Sequence, residues 1–113
     1  MIFKKYKSII KEEVDKVLQE NNYPKIEYQI KENTNPEFGE LYTNIPFTLS
    51  KPIKKNPMNI AEDIQKKLKF NDSILAKVSK PGYINFKINL HGILTAILIL
   101  FILIYWHIPE FFT

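Results

Sequence analysis

The stretch SILAKVSKPGYINFKIN, residues 73–89, decides the fold. Residues 73–79 and 83–89 are rich in β-branched and aromatic residues, and they flank Lys80-Pro81-Gly82, which has the composition of a turn. Two strands separated by so short a turn are expected to pair as an antiparallel hairpin. The rest of the chain is therefore expected to supply a further strand and the helices that cover one face of the sheet.

Alternation divides the side chains of the second strand between two faces. One face is apolar and is expected to join the core: Ile84, Phe86 and Ile88. The other face is expected to be exposed: Tyr83, Asn85 and Lys87. An exposed aromatic ring beside an amide is a common way to hold one unstacked nucleobase, because the ring stacks on the base and the amide reads its edge. The alternative is that Tyr83 packs in a core and Asn85 caps a sheet edge.

The N-terminal third contains three segments that differ in periodicity. Apolar residues spaced by three and four predict an amphipathic helix over residues 2–21. Strict alternation predicts a half-buried strand over 25–31. The Asn, Pro and Gly content of residues 33–39 predicts a loop.

Two further helices are predicted between this loop and the hairpin. A short helix is expected over residues 43–50, and Pro52 is expected to end it. A second helix begins at Asn56 as the cap, with Pro57 at its first position, and runs to Lys69.

The predicted order of elements is α-β-α-α-β-β, which indicates an α+β fold. Its small antiparallel sheet contains strands near residues 25–31, 73–79 and 83–89, helices cover the sheet, and an apolar C-terminal helix follows. The chain has 113 residues, which is room for one small domain. The absence of cysteine excludes disulfides, thiolate metal sites and a cysteine nucleophile. No catalytic, cofactor-binding or metal-ligating motif is recognisable, so none of these sites is predicted.

The charge distribution divides the chain into two segments. Residues 1–89 contain all sixteen lysines and eleven acidic residues, which gives them a net charge of +5. In residues 90–113 the one acidic or basic residue among Asp, Glu, Lys and Arg is Glu110. Lysines cluster at three places: 51, 54 and 55; 66, 67 and 69; and 77, 80 and 87. Such clusters are suited to phosphate backbones, and ordinary surface lysines are the alternative.

The apolar tail, residues 90–113, has three competing interpretations. A helix over residues 90–108 rises about 28 Å, which barely spans the roughly 30 Å hydrocarbon core of a bilayer. The tail is therefore interpreted as a membrane anchor through residues 90–109, as a buried helix that needs a partner, or as the product of a shifted reading frame. The shifted frame is ranked first and the anchor second.

Three blocks of residues 1–89 resemble the additional N-terminal domain of arginyl-tRNA synthetases. They are PEFGELYTNIPFTLSK at 36–51, KNPMNIAEDIQKKL at 55–68 and PGYINF at 81–86. In that family the domain is an α+β module ahead of the catalytic domain, and it contacts the D-loop of arginine tRNA. The resemblance covers about residues 1–89 and implies the same fold and the same tRNA partner here.

The resemblance also suggests the residues of the interface. The family's aromatic-x-amide pair on the last strand matches Tyr83 and Asn85, and a third contact position matches Lys80, which as a lysine is expected to touch phosphate. Lys87, beside this pair, is expected to contact the tRNA as well. The Phe38-Gly39 turn and Asn44 are interpreted as structural, with Asn44 capping a helix.

The resemblance implies a binding module rather than a complete arginine–tRNA ligase. The 113 residues contain no HIGH-type ATP motif and no KMSKS-like loop, so they are not expected to activate arginine. ATP is the substrate of the family's catalytic domain, and no cofactor is expected on this chain. The expected partners are arginine tRNA and a separate catalytic chain, in the cytoplasm. The alternative is a tail-anchored membrane protein that uses a cytoplasmic N-terminal module for protein contacts.

Overall fold

The computed structural model describes residues 3–71, 73–88 and 90–107. Within them lie four α-helices: α1 Lys4–Glu20, α2 Ile45–Ile53, α3 Pro57–Lys67 and α4 Leu90–His107. A 3₁₀ turn occupies Pro36–Phe38. The four strands are β1 Lys31–Glu32, β2 Leu41–Thr43, β3 Ile74–Ser79 and β4 Tyr83–Ile88. The predicted α+β class is confirmed. The first residue of the predicted helix 2–21, the last residue of the predicted strand 83–89 and residues 108–113 of the tail lie outside the described residues.

The sheet is antiparallel throughout, with the strand order β1-β2-β4-β3. The predicted hairpin is confirmed: β3 and β4 pair along their whole length, from Ser79 opposite Tyr83 to Ile74 opposite Ile88. On its other edge β4 pairs with β2, where Leu41 lies opposite Phe86. The strand that carries the candidate residues is therefore an interior strand of the sheet.

The core lies between one face of this sheet and three helices. The fully buried side chains of the sheet include Leu41, Ile84 and Phe86. The helices contribute Ile10 and Val14 from α1, Ile45 and Leu49 from α2, and Ile60 and Ile64 from α3. The predicted apolar face of β4 is thus confirmed as the face that meets the helices. The opposite face, called the outer face below, carries Tyr83, Asn85 and Lys87.

The strand predicted over 25–31 is wrong in extent, because only its last residue, Lys31, belongs to β1. The alternation nevertheless identifies burial correctly: Tyr28 and Ile30 are buried, whereas the residues beside them are exposed. The Tyr28 hydroxyl donates its hydrogen bond to the Asp15 carboxylate of α1, and its oxygen lies 3.2 Å from the Lys11 carbonyl oxygen of the same helix. The segment is therefore fixed to a helix rather than to a neighbouring strand.

Two details of the predicted helices also need correction. Pro52 does not end α2, which continues to Ile53 and ends where Lys54 adopts a left-handed conformation. A proline in the last turn removes only one backbone hydrogen bond, so the turn persists. Asn44 precedes α2, but its side chain makes no capping bond; the Thr43 hydroxyl accepts the Ile45 N–H instead, at 3.3 Å.

The predicted start of α3 is confirmed. The Asn56 side chain accepts the Met58 N–H at 2.8 Å, and Pro57 occupies the first helical position.

The C-terminal helix α4 has eighteen residues, and its side chains from Leu94 to Trp106 are exposed. Across the parts of the chain that the structure describes, none of the helices combines the length and the apolar character that a membrane crossing requires. Over the described residues 90–107 this finding gives no support to the membrane-anchor interpretation of residues 90–109; residues 108 and 109 lie outside the description.

Candidate nucleic-acid interface

The outer face of the sheet carries a row of side chains that crosses all four strands. Lys31 of β1 pairs with Tyr42 of β2, Tyr42 pairs with Asn85 of β4, and Asn85 pairs with Lys77 of β3. Strands lie about 4.8 Å apart, so the two lysines end a row roughly 14 Å long. Both are exposed, as is Lys87 farther along β4. An aromatic ring and an amide thus lie between positive charges.

Tyr83 lies two residues before Asn85 and is held by two other rings. Its ring centroid is 5.0 Å from that of Phe47 and 5.9 Å from that of Tyr42, and both contacts are edge-to-face. Such contacts stabilise one ring orientation. Tyr83 is nevertheless 36% exposed, so the sheet presents an oriented aromatic surface to solvent. The predicted exposure of Tyr83 is confirmed.

The predicted exposure of Asn85 is wrong: this residue is 6% exposed. Two neighbours are hydrogen-bonded to its side chain. The Asn33 side-chain amide donates to Asn85 Oδ1 at 3.3 Å, and Asn85 Nδ2 donates to the Ser79 hydroxyl at 2.7 Å. A primary amide has two N–H donors and two acceptor lone pairs, so one donor and one lone pair of Asn85 remain for a ligand.

A cavity of about 310 Å³ brings together three of the four predicted site residues, Lys80, Tyr83 and Asn85. Its other lining residues are Glu32, Asn33, Thr34, Phe38, Tyr42 and Ser79. The volume is at the lower end of the range of about 300–1,000 Å³ for ligand sites. Lys87 does not line this cavity, although it is exposed on the same strand.

Two glycines fix the walls of the cavity. Gly39 has a φ of +106°, and a Cβ built there would lie 2.7 Å from the Phe86 carbonyl oxygen. The segment that carries Phe38 therefore lies directly against the backbone of β4. A Cβ on Gly82 would lie 2.8 Å from the Pro57 Cβ, so the hairpin turn that carries Lys80 packs on the start of α3.

The two hydrogen-bonded tyrosine–carboxylate pairs of the domain are structural. Burial, together with hydrogen bonds to Asp63 and Asp15 respectively, raises the pKa of Tyr23 and of Tyr28 far above the usual range. The hydrogen bond from Tyr23 is the main factor that lowers the pKa of Asp63. Each phenol therefore stays neutral and joins the segment before β1 to a helix. Among the described residues no group of three or more His, Cys, Asp or Glu side chains is arranged to hold a metal ion.

Sequence reasoning missed four residues of this interface: Asn33, Tyr42, Ser79 and, as the end of the row, Lys31. Tyr42 belongs to β2, which was not predicted, and only the pairing register places it beside Asn85. Asn33 lies in a predicted loop, 52 residues before its hydrogen-bond partner. Ser79 alone carried a local signal, since it pairs with Tyr83 across the predicted hairpin.

Comparison with known proteins identifies the domain. The family model described as the arginyl tRNA synthetase N terminal domain matches residues 4–88. The chain belongs to this family. The matched segment contains β1 to β4 and therefore the whole outer face of this arginyl-tRNA synthetase N-terminal domain.

Similar proteins include two bacterial arginine–tRNA ligases. The ligase of Mycoplasmoides gallisepticum is 40% identical over 87 residues, which are 76% of this chain and 15% of that ligase. The ligase of Thermotoga maritima is 33% identical over 93 residues, 79% of this chain and 17% of that ligase. The chain thus spans about a sixth of the length of these relatives.

A solved structure shares the fold. The Thermus thermophilus arginyl-tRNA synthetase superposes with a TM-score of 0.66 at 22% identity, over 80% of this chain and 15% of that one.

Proposed function

We propose that this N-terminal domain binds arginine tRNA and contacts its D-loop through the outer face of the sheet. The observation that carries the proposal is the cavity in which Tyr83, Asn85 and Lys80 converge. Family membership supports the tRNA partner. The choice of the D-loop rests on the resemblance of Tyr83 and Asn85 to the aromatic-x-amide pair with which the family contacts that loop.

Each side chain has a separate role in the proposed contact. The exposed ring of Tyr83 stacks on one unstacked base, an interaction worth about 1–3 kcal/mol per base in single-stranded complexes. The free donor and acceptor of Asn85 bind the edge of that base. Lys80, exposed at the rim, contacts a phosphate. This contact needs no cofactor, and the ATP of the ligase reaction is proposed to be used by the family's catalytic domain.

Positive charge around the cavity supports binding to the phosphate backbone. Lys31, Lys77 and Lys87 are exposed on the outer face, and Lys80 follows β3. Each neutralised phosphate contributes about −0.7 to −0.9 to the slope of log K against log salt. Four contacts therefore give an expected slope of about −3. The attraction is independent of sequence, so discrimination is assigned to Tyr83 and Asn85.

A binding titration tests the proposal. The 113-residue chain is titrated with an arginine tRNA transcript and with a transcript whose D-loop nucleotides are replaced. Tyr83→Ala is expected to weaken binding of the first transcript about fivefold to a hundredfold, which is the loss of one stacked base, and to remove the difference between the two. Tyr105→Ala, on an exposed residue of α4, is the matched control and is expected to leave both affinities unchanged. Equal affinity for both transcripts, unaffected by Tyr83→Ala, would refute the proposal.

A further inference from the structure

The Asn85 amide is hydrogen-bonded to two residues that belong to other strands or segments. Asn85 lies on interior strand β4, Asn33 follows β1, and Ser79 ends β3. The Asn33 amino group donates to Asn85 Oδ1, and Asn85 Nδ2 donates to Ser79 Oγ. Because its surroundings leave Asn85 only 6% exposed, its amide does not rotate freely in solvent.

An amide accepts hydrogen bonds at its oxygen and donates them at its nitrogen, so its orientation decides where a ligand must donate and where it must accept. In the structure the Asn33 amino group meets the Asn85 oxygen, which accepts its hydrogen bond. The Asn85 amino group then lies towards Ser79, whose hydroxyl accepts. The unused lone pair of Oδ1 and the unused N–H of Nδ2 consequently occupy fixed sides of the cavity.

We propose that Asn33 and Ser79 are positioning residues that determine which base the domain prefers. This inference rests on the function proposed above and adds the origin of its base preference. Adenine carries an amino donor at its position 6, where guanine carries an oxo acceptor. An amide held in one orientation matches only one of these two edges, whereas a freely rotating amide matches both.

Reversal of the amide is the decisive perturbation. In Asn33→Asp the carboxylate at position 33 only accepts, so Asn85 turns its Nδ2 towards residue 33. Its Oδ1 then accepts the Ser79 hydroxyl proton, because serine both donates and accepts. The free donor and acceptor exchange places, and the preference between the two purines reverses. Ser79→Ala removes one partner without reversing the amide, so the ratio of the dissociation constants for the two purines moves towards one. Ser79→Thr keeps the hydroxyl and restores the wild-type ratio.

The measurement is the ratio of dissociation constants for two arginine tRNA transcripts that differ only in adenine or guanine at one unpaired position of the D-loop. The 113-residue chain is used throughout. The wild-type ratio is expected to differ from one by about fivefold or more, the usual range for a bidentate base contact. Asn33→Asp is expected to invert that ratio.

Asn35→Asp is the matched control for charge. It adds the same negative charge two residues away, and it keeps the acceptor oxygen that receives the Glu37 N–H. It is expected to weaken the binding of both transcripts by the same factor and to leave the ratio of their dissociation constants unchanged. A purely electrostatic effect of Asn33→Asp would behave in the same way.

Three outcomes would overturn the inference. An unchanged ratio in Asn33→Asp and Ser79→Ala, with binding still dependent on Tyr83, overturns the inference alone. A wild-type ratio of one with Tyr83-dependent binding also overturns it, because the amide then reads no base. Binding that is insensitive to both Tyr83 and the D-loop overturns the proposed function and this inference together.

Discussion

Replacement of Gly39 by alanine tests how the cavity wall is built. Gly39 has a φ of +106°, which side-chain-bearing residues adopt only at a cost of about 1–3 kcal/mol. The added Cβ would also lie 2.7 Å from the Phe86 carbonyl oxygen and 3.0 Å from its carbon. These atoms belong to an interior strand, so they have little freedom to move away.

The strain and the overlap together predict a loss of about 3 kcal/mol in the free energy of unfolding for Gly39→Ala. For a domain of 60–100 residues, each kcal/mol lowers the melting temperature by about 4–8 °C, so the expected decrease is about 12–24 °C. Urea and thermal unfolding followed by circular dichroism measure both quantities. Phe38→Ala, at a residue 53% exposed, is the neighbouring control and is expected to change stability by about 0.5 kcal/mol or less.

An unchanged unfolding midpoint in Gly39→Ala would refute the close packing of this segment against β4. The same variant connects stability to the site. Any shift that relieves the overlap moves Phe38, which lines the cavity, away from Asn85. Binding of the D-loop is therefore expected to weaken even under conditions where the variant is fully folded.

Three further predictions concern the backbone, a tyrosine–carboxylate pair and the positive surface. Lys54→Gly should raise the free energy of unfolding by about 0.5–1 kcal/mol, because Lys54 has a φ of 54° at the end of α2; a lower unfolding midpoint would contradict it. Tyr23→Phe should lower the free energy of unfolding by about 0.5–1 kcal/mol at neutral pH, because it removes the hydrogen bond to the ionised Asp63 carboxyl. The difference between the variant and the wild type should shrink as the pH falls below 3.8, because the hydrogen bond that lowers the pKa of Asp63 stabilises the fold only while that carboxyl is ionised. A difference that stays constant from pH 7 to pH 2 would contradict this prediction. Lys87→Gln should weaken tRNA binding and make the salt slope less negative by about 0.7–0.9, whereas Lys16→Gln, at an exposed position of α1, should do neither.

Sequence periodicity predicts burial in this domain more reliably than it predicts strand pairing. Residues 25–31 alternate as a strand does, and Tyr28 and Ile30 are indeed buried. The hydrogen bonds of Tyr28 run to α1, however, and the place beside β4 belongs to β2. A three-residue strand such as β2 is too short to show alternation, so only the folded chain reveals it.

The candidate site was predictable where its residues are close in sequence. Tyr83 and Asn85 share a strand face, and Lys80 lies in the turn before them, so a local pattern was sufficient. The hydrogen-bonded surroundings of Asn85 were not predictable, because they include Asn33, which is distant in sequence and lies in a segment without periodicity. Hydrogen bonds between distant segments leave no local signal.

The central claim is that the outer face of the sheet meets the D-loop, and the absence of cysteine allows a direct measurement of it. A single cysteine introduced by Lys77→Cys carries a tethered hydroxyl-radical probe on the outer face, and Lys16→Cys carries the same probe at an exposed position of α1. In complexes with arginine tRNA, cleavage is expected in the D-loop from position 77 and not from position 16. Cleavage of the D-loop from position 16, or cleavage from position 77 confined to other parts of the tRNA, would contradict the account.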